Sequence, residues 1–124
     1  MDRKRVLIVD DDLDRLELIK GLLEVVEDEV QIQSAVGAEA ALEHMDKMAV
    51  EGVRYDMLIA EYSMGGRDGL WLLNQVRDKH PACERTLVSN FEYVELHVAL
   101  EPGVVQHYFE RSYLDGIADL LVDG

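Results

Sequence analysis

Acidic side chains directly follow two strongly apolar runs of the sequence. Asp10 to Asp12 come after Val6 to Val9, and Glu61 comes after Met57 to Ala60. Carboxylates that are brought together repel one another, and their pKa values rise unless a cation neutralises them. Mg²⁺ prefers a few hard oxygen ligands and keeps water in the rest of its shell. If the fold gathers these acids, they predict a site for such a cation.

Two further polar residues follow runs of strand character. Ser89 ends the run that begins at Thr86, and Arg111 follows Val104 to Phe109. A hydroxyl and a guanidinium opposite a cation could receive phosphoryl oxygens, and the guanidinium could instead pair with a carboxylate. The residues alone therefore predict an acidic cleft that binds a cation, with one basic residue across it.

The segments that must position these residues alternate between strand and helix character. Runs of strand length are Val6 to Val9, Val30 to Ala35, Met57 to Ala60, Thr86 to Ser89 and Val104 to Phe109. Helical spacing of apolar residues is found in Leu13 to Val26, Gly37 to Val50, Leu70 to Lys79, Glu92 to Leu100 and Tyr113 to Val122. This alternation predicts an α/β fold of βαβ units around an open parallel sheet. In such sheets the chemistry lies at the carboxyl ends of the strands, so we expect the polar residues at one edge.

Length and charge limit the function classes. A chain of 124 residues is expected to form a single domain, residues 1–124. Its 12 Lys and Arg against 26 Asp and Glu give a net charge of −14, which argues against binding of nucleic-acid phosphates. The single cysteine, Cys83, excludes an internal disulfide. No apolar run reaches the roughly 7–15 residues of a signal peptide or the about 20 of a membrane span. A cytoplasmic domain that binds neither nucleic acid nor membrane is therefore expected.

Other residues that often carry chemistry favour ordinary roles here. The four histidines are scattered without the spacing of metal ligands, which predicts surface or hydrogen-bonded positions. Cys83 has no evident catalytic partner. Trp71 and the leucines Leu70, Leu72 and Leu73 have helical spacing and are predicted to belong to the core.

Two stretches of the chain resemble the receiver domains of bacterial two-component response regulators. VLIVDDD is similar to the family's first strand and acidic pair, which falls on Asp10 and Asp11. YDMLIAEYSMGGRDG is similar to the family pattern D-x-x-x-x-D-x-x-M-P-G-x-D-G, in which the second Asp accepts a phosphoryl group from a histidine kinase. The matching residues are Asp56, Met64, Gly66, Asp68 and Gly69. The resemblance covers essentially the whole chain and implies a flavodoxin-like (βα)5 three-layer sandwich with strand order 2-1-3-4-5.

Several signature positions depart from the family pattern. Glu61 stands at the phosphoacceptor position, and Gly65 replaces the proline. Ser89 matches the family's hydroxyl, but Asn90 follows it in place of a small residue. Where the family has Lys and Pro after the fifth strand, this chain has Arg111 followed by serine.

The resemblance assigns roles to the positions that match. Tyr108 is similar to the switch aromatic of the fifth strand, whose rotamer would report the state of the pocket. Mg²⁺, the expected cofactor, would be held by Asp11, Glu61 and the backbone carbonyl of Ser63, with Asp10 completing the acidic pocket. The extra methylene of Glu61 weakens the expected affinity of this metal site.

The longer side chain of Glu61 has two physical consequences. Its carboxylate is displaced by roughly 1.5 Å, and a misplacement of about 1 Å can cost about a hundredfold in rate, so in-line phosphoryl transfer should be poor. The displacement also carries negative charge into the space of a phosphoryl group. Glu61 could then partly imitate the phosphorylated state, with Ser89 or Arg111 as its partner. Arg111 favours an ion pair, because its planar guanidinium can bind a carboxylate bidentately.

These departures favour a pseudo-receiver, an atypical receiver that signals through protein contacts without phosphorylation and without enzymatic activity. One alternative is a decayed pocket in which Glu61 has drifted and only the scaffold serves a function. A second is a Mg²⁺-dependent receiver that still accepts phosphate from a histidine kinase. A third is a flavodoxin-like cofactor binder, which needs a phosphate-cradling loop where this chain has three aspartates.

The resemblance also implies the partners. In the family, the fourth helix, fifth strand and fifth helix form the output and dimerisation face, which corresponds to residues 92–122 of this chain. A histidine kinase or an output protein or domain is the expected partner. A second copy of the chain, bound through the same face, is a further candidate.

Overall fold

A parallel sheet organises the part of the chain that the computed structural model describes, which is residues 3–89, 103–111 and 116–123. Its strands lie in the order β2-β1-β3-β4-β5, and every neighbouring pair is parallel. The strands are β1 (Lys4–Asp10), β2 (Val30–Val36), β3 (Met57–Glu61), β4 (Glu84–Ser89) and β5 (His107–Glu110). The flavodoxin-like topology implied by the resemblance is thus confirmed.

Helices cover both faces of this sheet. Their bounds are α1 (Leu13–Leu23), α2 (Ala38–Val50), α3 (Gly69–Lys79) and α4 (Gly116–Asp123), and a 3₁₀ turn (Glu24–Val26) follows α1. Helices α1 and α4 pack together on one face, and α2 and α3 pack together on the other. Two of the helices begin at an aspartate that caps free backbone N–H groups: Asp12 before α1 and Asp68 before α3.

The central strands are buried on both faces, as expected for parallel strands between two helical layers. Leu7 and Leu58 belong to the hydrophobic cluster beneath α2 and α3. Their neighbours Ile8 and Ile59 belong to the cluster beneath α1 and α4. Because side chains alternate along a strand, β1 and β3 join the two halves of the core. Both strands end in a buried acid.

The start of the fifth strand and the end of the first helix differ from the sequence predictions. The fifth strand begins at His107 and not at Val104, which is buried in the turn before the strand. Buried Arg85 holds this turn by donating to the carbonyl oxygens of Gly103 and Val104, so apolar burial there does not require a strand. The first helix ends at Leu23, and Leu13, its first residue, is 66% exposed and not part of the apolar face.

Other predictions fall on residues that are not described. The predicted helix from Glu92 to Leu100, Asn90 and the start of the predicted last helix lie outside the described residues. In the described ranges, no helix combines the length and apolar character needed to cross a membrane.

Candidate functional site

The carboxyl ends of β1, β3 and β4 and the residue after β5 meet at one edge of the sheet, as predicted. They border a cleft of about 540 Å³ that is lined by Arg15, Tyr62, Ser63, Ser89 and Arg111, among others. The buried acids Asp10 and Glu61 lie beneath it, beside Arg15 and Arg111. The cleft therefore combines buried carboxylates with two guanidinium groups, where the sequence analysis predicted only one.

Asp10 is held by Arg15, a residue that the sequence analysis did not single out. Arg15 Nε donates to Asp10 Oδ2 and Arg15 Nη2 donates to Asp10 Oδ1, both at 2.8 Å. The backbone N–H of Asp12 adds a third bond to Oδ1 at 3.0 Å. The Asp10 side chain is 1% exposed, so this bidentate pair is largely shielded from water on the acidic side. The hydrogen bond to Asp10 is also the main cause of the raised pKa of Arg15.

Asp11 is held by two donors of the chain. The backbone N–H of Gly65 donates to Asp11 Oδ2 at 2.6 Å, and Arg15 Nη2 donates to Asp11 Oδ1 at 3.3 Å. The Gly65 bond is the largest cause that lowers the pKa of Asp11 below its usual value of 3.8. A proline at this position would have no N–H to donate. Gly65, noted in the sequence as a departure from the family, thus supplies a contact that the family's proline cannot make.

Glu61 pairs with Arg111 across the cleft. Arg111 Nη2 donates to Glu61 Oε1, and the exposed fractions of the two side chains are 32% and 2%. The ion pair predicted from the sequence is present in the structure. Arg111, and not Ser89, is the partner that the structure gives to Glu61.

Ser89 and Tyr108 lie on neighbouring strands beside this pair. Ser89 is buried at the end of β4. The Tyr108 hydroxyl donates to the Ser89 backbone carbonyl at 3.2 Å. The half-buried Tyr108 ring therefore reaches from β5 to Ser89, which lines the cleft.

The loop after β3 is shaped by the residues that match the family pattern. Met64 is buried in the core, and Gly66 has a φ of +82°, which favours glycine. Asp68 caps α3 by accepting from the Trp71 N–H at 2.8 Å. A Cβ on Gly69 would lie 2.4 Å from the Glu61 carbonyl oxygen, so only glycine fits here. The loop thus fixes the backbone on which Glu61 stands.

The predicted magnesium ligands do not form a metal site in this arrangement. Asp11 is bonded to Gly65 and Arg15, and Glu61 is bonded to Arg111. In the described part of the chain, no three acidic, histidine or cysteine side chains are grouped so that they could hold a metal ion. As they stand, Asp11 and Glu61 do not fit a bound Mg²⁺, because each carboxylate is engaged by donors of the chain itself.

Arg15 could have been found from its spacing in the sequence. It lies four residues after Asp11 and three after Asp12, which places these side chains on one face of a helix start. The three aspartates suggested a cation site, so the basic residue within reach of them was overlooked.

The residues given ordinary roles mostly keep them. Leu70, Leu72 and Leu73 are buried, and Trp71 is half-buried against the same core, with the Arg67 guanidinium 5.3 Å from its ring centre. The described histidines are hydrogen-bonded: His44 to Tyr55, His80 to Asp46 and His107 to Glu84. The fourth, His97, lies outside the described residues.

Comparison with known proteins agrees with this architecture. The model of the response regulator receiver domain family matches residues 6–109. No curated protein matches the sequence. Response regulator TrrA from Thermotoga maritima, solved in complex with Mg²⁺-BeF, is 24% identical over 97% of both chains, with a TM-score of 0.74.

Two further solved structures show the same fold. A CheY-like receiver domain protein from Methanospirillum hungatei is 21% identical over 98% of this chain and 96% of its own, with a TM-score of 0.77. The receiver domain of NtrX from Brucella abortus is 22% identical over 95% of this chain and 98% of its own, with a TM-score of 0.74. The family match, the strand order and the acidic cleft lead to one conclusion: this chain belongs to the response regulator receiver domain family.

Proposed function

We propose that this chain is a pseudo-receiver, a receiver domain that signals through protein contacts without accepting a phosphoryl group. The observation that carries the proposal is the pairing of Glu61, at the phosphoacceptor position, with Arg111. A phosphoacceptor carboxylate must be free to attack a phosphorus atom in line. Here the carboxylate is buried, is bonded to a guanidinium, and is carried one methylene beyond the position of an aspartate.

The ion pair also supports a permanent, phosphate-independent imitation of the phosphorylated state. Glu61 places a negative charge at the end of β3, and Arg111, the residue after β5, pairs with this charge. A phosphoryl group would bring about −1.5 to −2 charges and three acceptor oxygens, whereas a carboxylate brings one charge and two oxygens. The imitation is therefore partial in charge but links the same two strand ends.

Tyr108 connects this pair to the side of the domain expected to bind partners. It lies on β5, within the stretch 92–122 that corresponds to the family's output face, and its hydroxyl donates to the Ser89 backbone carbonyl at the border of the cleft. We infer that the Glu61–Arg111 pair favours this inward position and so fixes one state of the face. A histidine kinase or an output protein would read that state by contact, and a second copy of the chain could use the same face. No enzymatic step and no contact with nucleic acid is required.

A phosphorylatable receiver is the second candidate. The observation that favours it is the retention of Asp10, Asp11, Ser89 and Tyr108 around the cleft. The related TrrA structure, which holds Mg²⁺-BeF, shows that this fold accommodates such a complex in that protein. In this chain the same complex would require Glu61 to leave Arg111 and Asp11 to leave Gly65. We therefore rank this candidate below the pseudo-receiver.

The test is the intact mass of the protein after incubation with acetyl phosphate and Mg²⁺. Wild type and Glu61→Gln are expected to gain no phosphoryl adduct. Glu61→Asp, which withdraws the carboxylate from Arg111, is the comparison that measures how far Glu61 alone prevents transfer. An adduct on wild type that disappears in Glu61→Gln would overturn the proposal and establish a working phosphoacceptor.

A further inference from the structure

Arg15 contacts three acidic side chains at the border of the cleft. It projects from the first turn of α1 back over the end of β1. Its guanidinium lies 2.8 Å from Asp10, 3.3 Å from Asp11 and 3.5 Å from Asp12, measured between nitrogen and carboxylate oxygen. One cation thus bridges all three carboxylates that follow β1.

These contacts use the oxygen atoms that a divalent cation would need. Both oxygens of Asp10 accept from Arg15. Asp11 has one oxygen on Arg15 and the other on the Gly65 N–H, while Glu61 is bonded to Arg111. A divalent cation entering here would have to displace a guanidinium and would meet its positive charge at close range.

We propose that Arg15 is the built-in counter-ion of this cleft and takes the place of a divalent cation, so that the domain holds its acidic pocket without metal. This inference rests on the proposed function and deepens it, since a pocket neutralised from within needs neither Mg²⁺ nor phosphate to keep its state. Arg15 is the determinant because, among the residues that the structure describes, it alone contacts all three aspartates. In support, the Gly65 N–H donates to Asp11 Oδ2 and Arg111 donates to Glu61 Oε1.

The experiment measures binding of Mn²⁺, a spectroscopic substitute for Mg²⁺, by electron paramagnetic resonance of the free ion. Wild type is compared with Arg15→Met and with Arg77→Met. Arg77→Met is a matched control because it also removes one positive charge, and in the described part of the chain the ion pair of Arg77 is with exposed Asp78 on α3, away from the cleft. Arg15→Met is expected to gain one Mn²⁺ site, from which Mg²⁺ displaces the Mn²⁺. Its affinity should be at least about tenfold higher than that of any binding by wild type or Arg77→Met, a difference of about 1.4 kcal/mol in binding free energy.

Thermal melting with and without Mg²⁺ shows whether the Arg15→Met protein is folded when its metal binding is measured. Arg15→Met leaves the buried Asp10 carboxylate without its main partner and should be less stable than wild type. Mg²⁺ is expected to raise the melting temperature of Arg15→Met and to leave that of wild type and Arg77→Met unchanged.

Two results would overturn the inference. One is saturable binding of Mn²⁺ by wild type with an affinity equal to that of Arg15→Met. The other is an Arg15→Met protein that binds no more Mn²⁺ than Arg77→Met and gains no stability from Mg²⁺. Neither result depends on phosphoryl transfer, so metal binding by wild type would refute the role of Arg15 and leave the pseudo-receiver proposal standing. Conversely, a phosphoryl adduct on Glu61 would refute the pseudo-receiver proposal through a separate readout.

Discussion

Replacing Arg111 with methionine removes the partner of Glu61, whose side chain is 2% exposed. The carboxylate would then remain buried without a counter-charge, because β3 holds its backbone and Gly69 packs against its carbonyl. Replacing Glu61 with methionine has the opposite consequence, since Arg111 is one-third exposed and its guanidinium can move into water. The two single variants should therefore differ in stability, and the pair should show strong coupling.

The size of this coupling follows from the burial of the two groups. Breaking a buried ion pair by removing one partner costs about 3–5 kcal/mol, and the partial exposure of Arg111 reduces the expected loss for Arg111→Met to about 2–3 kcal/mol. In the double variant no buried charge is left unpaired. It is therefore expected to be more stable than Arg111→Met alone, with a coupling energy of about 2 kcal/mol.

Urea unfolding followed by circular dichroism gives the four free energies of this double-mutant cycle. The control cycle uses Glu17 and Lys20 on α1, which lie 3.7 Å apart with side chains 75% and 37% exposed. Such an exposed pair should couple by about 0.5 kcal/mol or less. The reasoning is refuted if the Glu61–Arg111 coupling is no larger than that of the control, or if the double variant is less stable than Arg111→Met.

Three other perturbations test the surroundings of the cleft. Gly69→Ala places a Cβ 2.4 Å from the Glu61 carbonyl oxygen and should lower the free energy of unfolding in urea by about 1–3 kcal/mol. Gly21→Ala, which meets open space on α1, should be neutral or stabilising, and equal effects of the two substitutions would contradict the close approach at Gly69. Burial raises the pKa of Cys83 to about 12, so the native thiol should resist Ellman's reagent at pH 8. The native state keeps a proton that the unfolded thiol releases above pH 9, so the free energy of unfolding should fall between pH 9 and 12, by up to about 1.4 kcal/mol per pH unit. Cys83→Ala should lack this decline, and equal pH profiles of the two proteins would contradict the burial of the thiol. Arg85→Met removes the side-chain hydrogen bonds to four backbone carbonyls, those of Pro81, Cys83, Gly103 and Val104, and should cost about 2–3 kcal/mol. Amide exchange in the turn before β5 should become faster, and unchanged exchange would contradict the role of Arg85.

The sheet could be predicted from the sequence because its central strands are continuous apolar runs. Val6 to Val9 and Met57 to Ala60 are buried on both faces, and each is followed at once by an acid, which marks the carboxyl edge. The fifth strand was harder to place. Val104 is as buried as a strand residue, but it lies in a turn whose carbonyl groups accept hydrogen bonds from Arg85. No local sequence pattern indicates a hydrogen-bond donor nineteen positions away.

The acids of the cleft and the Glu61–Arg111 pair were predicted from the sequence. The groups that neutralise the other acids, the Arg15 guanidinium and the Gly65 N–H, were not predicted. The sequence showed which residues stand at the strand ends, and the planar guanidinium of Arg111 favoured it as a partner for Glu61. Arg15 was missed because its target is set by the direction of the backbone after β1, which the sequence pattern does not give. The Gly65 N–H was missed because glycine has no side chain to suggest a contact.

The central claim is that the cleft is already engaged by its own side chains and does not respond to a phosphoryl group. The most direct measurement is the amide NMR spectrum of wild type before and after addition of Mg²⁺ and beryllofluoride, a phosphoryl analogue that binds carboxylates. No shifts are expected beyond those that Mg²⁺ alone causes in wild type, notably at Gly65, Ser89 and Tyr108. Saturable shifts of these amides that spread along β5 would contradict it and show a receiver that still responds to phosphorylation.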